Sequence, residues 1–146
     1  MTWRLQEPSP QAKDAGMRRD IERLRRRSAG RTGTANIIFA VAGPGARADV
    51  QFPYRCRLTS VTLLADQIGS VVVDLWKDTF ANFPPTVTDT ICAAAKPTLS
   101  SQQKYVDSGL DGWTTNVNAG DTIRVNVDST SGITRLCVAL KFEKRG

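Results

Sequence analysis

Asp66, Asp74, Asp78, Asp89, Asp107 and Asp121 are the side chains of this sequence best suited to chemistry. Carboxylates can act as a hydrolytic acid and base, or ligate calcium through oxygen. The D-x-D-x-D-G spacing of a calcium loop is absent. Asp74 and Asp78 are separated by Trp76 and Lys77, with nothing in the spacing to make them converge. Asp66 and Asp121 fall at turn-like positions, where a carboxylate accepts hydrogen bonds from nearby backbone N–H groups. The three cysteines, Cys56, Cys92 and Cys137, form no CxxC pair, and there is no histidine. Thiolate–imidazole zinc sites and Ser–His or Cys–His nucleophile pairs are thereby excluded. Each cysteine has apolar, strand-like neighbours, which predicts buried reduced thiols, and an odd count leaves no complete disulfide framework. Gly43-Pro44-Gly45-Ala46 lacks the ending of a phosphate loop and reads as a turn. The residues therefore predict no catalytic group, no metal and no cofactor, and a protein that is not an enzyme.

Binding chemistry is richer. Residues 1–34 hold nine Lys/Arg against four Asp/Glu, so the net charge of +6 belongs almost wholly to this segment. Arg18, Arg19, Arg23, Arg25, Arg26 and Arg27 could neutralise phosphates. No aromatic residue is interleaved for stacking, so docking on a protein partner is placed ahead of a solvated face and of nucleic acid. Trp76, Phe80, Phe83, Tyr105 and Trp113 could stack on a sugar or a partner, or could pack internally. Phe80, Phe83, Tyr105 and Trp113 are kept as candidate receptor or intersubunit contacts, and Trp76 is expected in the core.

The elements that must position these residues fall into two parts, 1–34 and 35–146. Glu7-Pro8-Ser9-Pro10 predicts an extended start. Residues 11–28 predict a short basic α-helix with Met17, Ile21 and Leu24 on one narrow stripe. Arg25 to Arg27 complement its C-terminal dipole, and Gly30 and Gly33 stop it. Three apolar residues cannot hold a lone helix, so this arm needs a partner. Trp3, Leu5, Met17, Arg18, Ile21, Leu24 and Arg25 are its candidate docking residues.

The second part predicts an all-β fold of about eight strands. The expected spans are residues 37–41, 47–52, 57–64, 70–76, 90–94, 113–117, 122–127 and 133–142. Alternation sets Val71, Val73 and Leu75 on one face with Val72, Asp74 and Trp76 on the other. Ile123, Val125 and Val127 face inward, and Leu136, Val138, Leu140 and Phe142 share one face. Turns are expected at residues 43–45, 66–69, 118–121 and 129–132, and a long polar loop at 96–111. Such punctuation predicts a jelly-roll-like antiparallel β-sandwich. No run of about 18 apolar residues exists for a membrane-spanning helix, and no charged-then-apolar secretory leader is expected at the start.

The segment from Leu64 to Ile91 carries a recognisable series of motifs. They are Leu64-Ala65-Asp66 with Gly69-Ser70, then Asp74-Leu75-Trp76-Lys77-Asp78, then Ala81 to Ile91. Leu110-Asp111-Gly112-Trp113 and Gly120-Asp121 follow. Together they resemble the C-terminal β-domain of tailed-phage virion structural proteins of tail-fibre or head-fibre type, over roughly residues 35–142. The resemblance implies a non-enzymatic virion component, assembled in the host cytoplasm. Its basic arm would dock on capsid, neck or tail, and its β-domain would project outward, for host adhesion through a surface receptor or glycan. It also implies a homo-oligomer, a trimer by the usual symmetry of such appendages. A capsid or neck cement protein is the alternative, favoured by the absence of a long shaft. Nucleic acid binding and membrane insertion are not expected.

Overall fold

A computed structural model of the chain describes residue 19 and residues 31–145. The extended start, the basic helix expected over 11–28 and the docking residues Trp3, Leu5, Met17, Arg18, Ile21, Leu24 and Arg25 lie outside the described residues. The unit Thr32–Gly146 is described by itself.

Its strands are β1 (Thr32–Phe39), β2 (Arg47–Gln51), β3 (Cys56–Asp78), β4 (Thr98–Asp107), β5 (Asn116–Val117), β6 (Thr122–Ser131) and β7 (Leu136–Lys144). All pairings are antiparallel. The hydrogen-bonded order is β1-β7-β3-β6-β2, with β4 and β5 also on β3. The 23-residue β3 organises the fold. Its first half pairs with β7 and its second half with β6, while β4 follows both halves. The sheet curls so that β1-β7 and β2-β6 form opposing layers that share β3. This is the all-β, jelly-roll-like sandwich that the alternation predicts.

Register irregularities keep the apolar residues of so long a strand on one side. Between Leu58 and Ser60 the pairing with β7 shifts, so Cys56 and Leu58 before the shift and Val61 and Leu63 after it all lie in the core. Val71, Val73 and Leu75 continue that face and meet Ile123, Val125, Val127, Leu136, Val138 and Leu140, with Ile123, Val125 and Val127 buried as expected. Burying each such aliphatic side chain contributes about 1.5–3 kcal/mol before entropy is counted.

Five sequence expectations are corrected. The stretch 96–111 is not one long loop, because Thr98–Asp107 forms β4. Its polar residues at 100–104 are exposed on a strand with a partner on one side only, so no apolar alternation marks them. Residues 66–69 do not turn the chain; β3 runs through them with register shifts. Residues 90–94 contribute a single bridge, Thr90 to Trp76, rather than a strand. The strand expected at 113–117 shrinks to Asn116–Val117, and β6 extends to Ser131 through the expected turn.

Candidate functional site

The second half of β3 turns Val72, Asp74 and Trp76 away from the core. Asp74 is nevertheless 1 % exposed. The connection between β3 and β4 folds back along this strand, where the Ile91 N–H donates to the Leu75 carbonyl and the Val73 N–H to the Pro97 carbonyl, and Asp74 gathers side-chain bonds from both. Trp76 Nε1 donates to Asp74 Oδ2 at 2.9 Å, and Thr90 Oγ1 donates to Oδ1 at 2.6 Å. The Leu75 N–H donates to Oδ1 at 2.9 Å. Lys96 Nζ lies 3.5 Å from Asp74 Oδ2 and 2.8 Å from Asp128 Oδ2. Asp128 is the residue skipped where β6 shifts register against Val72 and Val73, and the shift frees its side chain for Lys96. Asn126 Nδ2 donates to Asp128 Oδ1, and Arg47 Nε donates to Asn126 Oδ1 at 3.0 Å. The Arg47 guanidinium sits 5.2 Å from the centroid of the Trp76 ring and closes the circuit.

The result is a ring of β2, β3, β6 and the β3–β4 connection joined by polar side chains. Among the described residues no buried side-chain polar atom lacks a partner. The Asp128 hydrogen bond is the main cause that raises the Lys96 ammonium above its ordinary value, with Asp74 adding to it. Both carboxylates share that one cation; Asp74 also accepts from Trp76, Thr90 and the Leu75 N–H, and Asp128 from Asn126. This is the chemistry of a fastening. Asp78 belongs to a separate set, accepting from Thr79 N–H at 2.7 Å and Asn82 Nδ2 at 3.3 Å.

The fastened connection carries a loop with its own local hydrogen bonds. The Phe83 N–H donates to the Phe80 carbonyl, and the Phe83–Pro84 bond is cis. Thr86 and Asp89 form a capping box on a 3-10 turn over Val87–Asp89. With its polar groups paired locally, this loop directs Phe80, 71 % exposed, and Phe83, 45 % exposed, into solvent. Arg124 lies 5.2 Å over the Phe83 ring and holds Asp49 through two contacts of 2.7 and 3.0 Å. That carboxylate pushes the Arg124 pKa up.

The candidate aromatics do not form one patch. Trp113 is 9 % exposed, and its Nε1 donates to the Ala95 carbonyl at 2.9 Å, so it closes the core. Tyr105 lies opposite the buried Leu63 and packs against the core from β4. Burial is the main cause that raises its pKa. Trp76 is buried as expected, though on the polar outer side of the sheet.

The other motifs also hold backbone in place. Asp66 Oδ1 accepts from the N–H groups of Thr134 and Arg135, both at 3.0 Å, and these bonds lower its pKa. It therefore caps the β6–β7 turn, across the sheet from its own sequence neighbours. A Cβ at Gly69 would lie 2.5 Å from the Ser131 carbonyl oxygen, so only glycine fits there. Ser70 Oγ accepts from Ser101 N–H at 3.0 Å. Asp121 Oδ2 accepts from Asn118 N–H at 2.9 Å, beside Gly120 at φ +89°. Cys56 and Cys92 are buried and Cys137 partly so, all as free thiols. Burial pushes Cys92 up to about 12. Among the described residues no group of three or more His, Cys, Asp or Glu is placed to hold a metal ion. No helix among them is long and apolar enough to cross a membrane.

Sequence reasoning missed Arg47, Asp49, Lys96, Arg124, Asn126 and Asp128. A period of two marks Arg47 and Asp49 on β2, and Arg124 and Asn126 on β6, as outward pairs. It does not reveal that both strands lie beside Trp76.

No family model matches the chain, and no curated protein matches it. Several solved structures are similar to it at low identity. A carbohydrate-binding module from a family 9 glycoside hydrolase of Ruminococcus flavefaciens is 17% identical. The match covers 77% of this chain and 97% of that one, with a TM-score of 0.45. The major capsid protein P2 of bacteriophage PM2 is 13% identical over 79% of this chain and 45% of that one, with a TM-score of 0.44. A capsid chain of cyanophage Pam1 is 12% identical over 78% and 84%, with a TM-score of 0.37. At these scores the likenesses carry no argument about function.

Proposed function

We propose that this chain is a structural protein of a tailed-phage virion, an appendage fixed to head or tail. Segment 1–34 docks on capsid, neck or tail through Trp3, Leu5, Met17, Ile21 and Leu24, with Arg18 and Arg25 pairing to acidic groups of the partner. The β-sandwich projects from the particle and offers the Phe80–Phe83 loop to a host receptor or glycan. The observation that carries this reading is the fastened loop itself. A buried carboxylate, a ring of polar partners and a capping box hold a loop that exposes Phe80, Phe83 and Val87. Such preorganisation lowers the entropy cost of binding. The motif resemblance supplies the virion context.

A cement role is the second reading. It is favoured by the outer side of the first layer, where Ile38, Leu64 and Val106 are exposed apolar residues. Leu64 and Cys137 face each other across β3 and β7, and Ile38 faces Cys137 from β1, so this apolar row crosses three strands. Cryo-EM of the intact particle tests both. Segment 1–34 seated between other virion subunits, with the sandwich in solvent, supports the appendage. A sandwich that bridges neighbouring subunits through its outer layer supports the cement. Absence of the protein from purified particles overturns both.

A further inference from the structure

Among the described residues, 33–39 of β1 and the strands β2 and β4 are paired on one side only, besides the two-residue β5. An unpaired edge is a template for another strand. Proteins usually blunt such edges with charges, proline, bulges or brevity. β2 is five residues long and carries Arg47 and Asp49. β4 carries Lys104, two register shifts against β3, and Ser101 at φ 50°. Residues 33–39 of β1 have none of these devices. The segment Gly33-Thr34-Ala35-Asn36-Ile37-Ile38-Phe39 has no charge and no proline, and its register with β7 is unbroken. Partly buried apolar residues also lie beside this edge. Ala35 on β1 and Ala48 and Val50 on β2 face the core but are only partly buried.

We propose that β1 is the self-association edge of this protein, with residues 33–39 pairing antiparallel to the same residues of a second copy across a two-fold axis at Asn36. The strand is small at its start and bulky at its end, which selects this occupant. Antiparallel pairing about Asn36 sets Phe39 opposite Gly33, Ile38 opposite Thr34 and Ile37 opposite Ala35 of the copy. Each large side chain then meets a small one on the same face. Asn36 meets its own counterpart on the outer face, where two amides can exchange hydrogen bonds. Parallel pairing in register would set Ile37 on Ile37 and Phe39 on Phe39. The interface is isologous and closes at two copies. It goes beyond the virion reading.

Sedimentation equilibrium of the full chain tests the proposal. The expected mass is twice the 15.9 kDa of one chain. Asn36→Cys places two sulfurs across the axis, where directly opposite Cα atoms lie about 4.5–5.5 Å apart, within disulfide reach. Mild oxidation should link that variant into a covalent dimer well above the background of the parent chain, while Gln51→Cys on β2 stays at background. Asn36→Lys sets like charges opposite each other and should shift the mass to that of one chain, with the circular dichroism of the fold retained. A monomer at concentrations up to about 0.1 mM overturns the proposal, as does a trimer. So does an Asn36→Cys variant that links no more than the parent, or a dimer that survives Asn36→Lys.

Discussion

Replacing Asp74 by alanine separates a structural carboxylate from a functional one by the sign of the stability change. The substitution removes the acceptor of a buried indole N–H and of the Thr90 hydroxyl. A buried donor left unsatisfied costs about 1–3 kcal/mol. The Thr90 hydroxyl is only part-buried and can turn toward water, so its share is at the lower end, about 1 kcal/mol. Lys96 keeps Asp128 at 2.8 Å and is about one-third exposed, so its lost contact with Asp74 adds little. The sum is a destabilisation of about 2–4 kcal/mol. Urea unfolding followed by circular dichroism measures it. Trp76→Phe removes the donor, so the double variant should cost less than the two single variants added together, by about 1 kcal/mol or more. A carboxylate kept for chemistry at the expense of stability would give the opposite sign, with Asp74→Ala raising the midpoint. That outcome, or strict additivity with Trp76→Phe, refutes the fastening.

Three further outcomes follow from the same geometry. Gly69→Ala drives a Cβ to 2.5 Å from the Ser131 carbonyl oxygen and the Ile133 side chain, and should destabilise by about 1–3 kcal/mol or more, read as a drop in melting temperature. Asp66 has a folded pKa below its unfolded value, so the stability it lends is present above the ordinary carboxylate range and is lost as the pH falls through the folded value; Asp66→Asn should flatten the acid limb of a stability-versus-pH curve, and an unchanged limb would contradict the assignment. Cys92, raised to about 12, binds its proton more tightly when folded, so its contribution is present below the unfolded thiol value and is lost as the pH rises from about 9 toward 12; it should stay unreactive to thiol reagents at neutral pH until the protein unfolds, while the partly buried Cys137 reacts first.

Much of the fold was legible because a half-buried strand writes its two faces into alternate residues. Ile123, Val125, Val127 and Leu136 to Phe142 needed only that period. The Asp121 turn was legible from Asn118-Ala119-Gly120-Asp121, because the bond it makes is three residues long. β4 was hidden because an exposed edge strand with polar side chains has the composition of a loop. The continuity of β3 was hidden because Asp66-Gln67-Ile68-Gly69 contains turn residues used for other ends. Asp66 caps a turn 68 residues away, and Gly69 makes room for it.

The sequence by itself determined the all-β class, the inward set of β6, the two-faced periodicity of β3 and β7, and the exclusion of histidine-based chemistry, since composition and local period suffice for each. Tertiary structure alone decided that Trp113 and Tyr105 serve the core while Phe80 and Phe83 meet solvent. It also decided that Asp74, Lys96, Asp128, Asn126 and Arg47 form one ring. Those outcomes depend on which strands lie side by side, and strand order is set by long-range packing that no local spacing records.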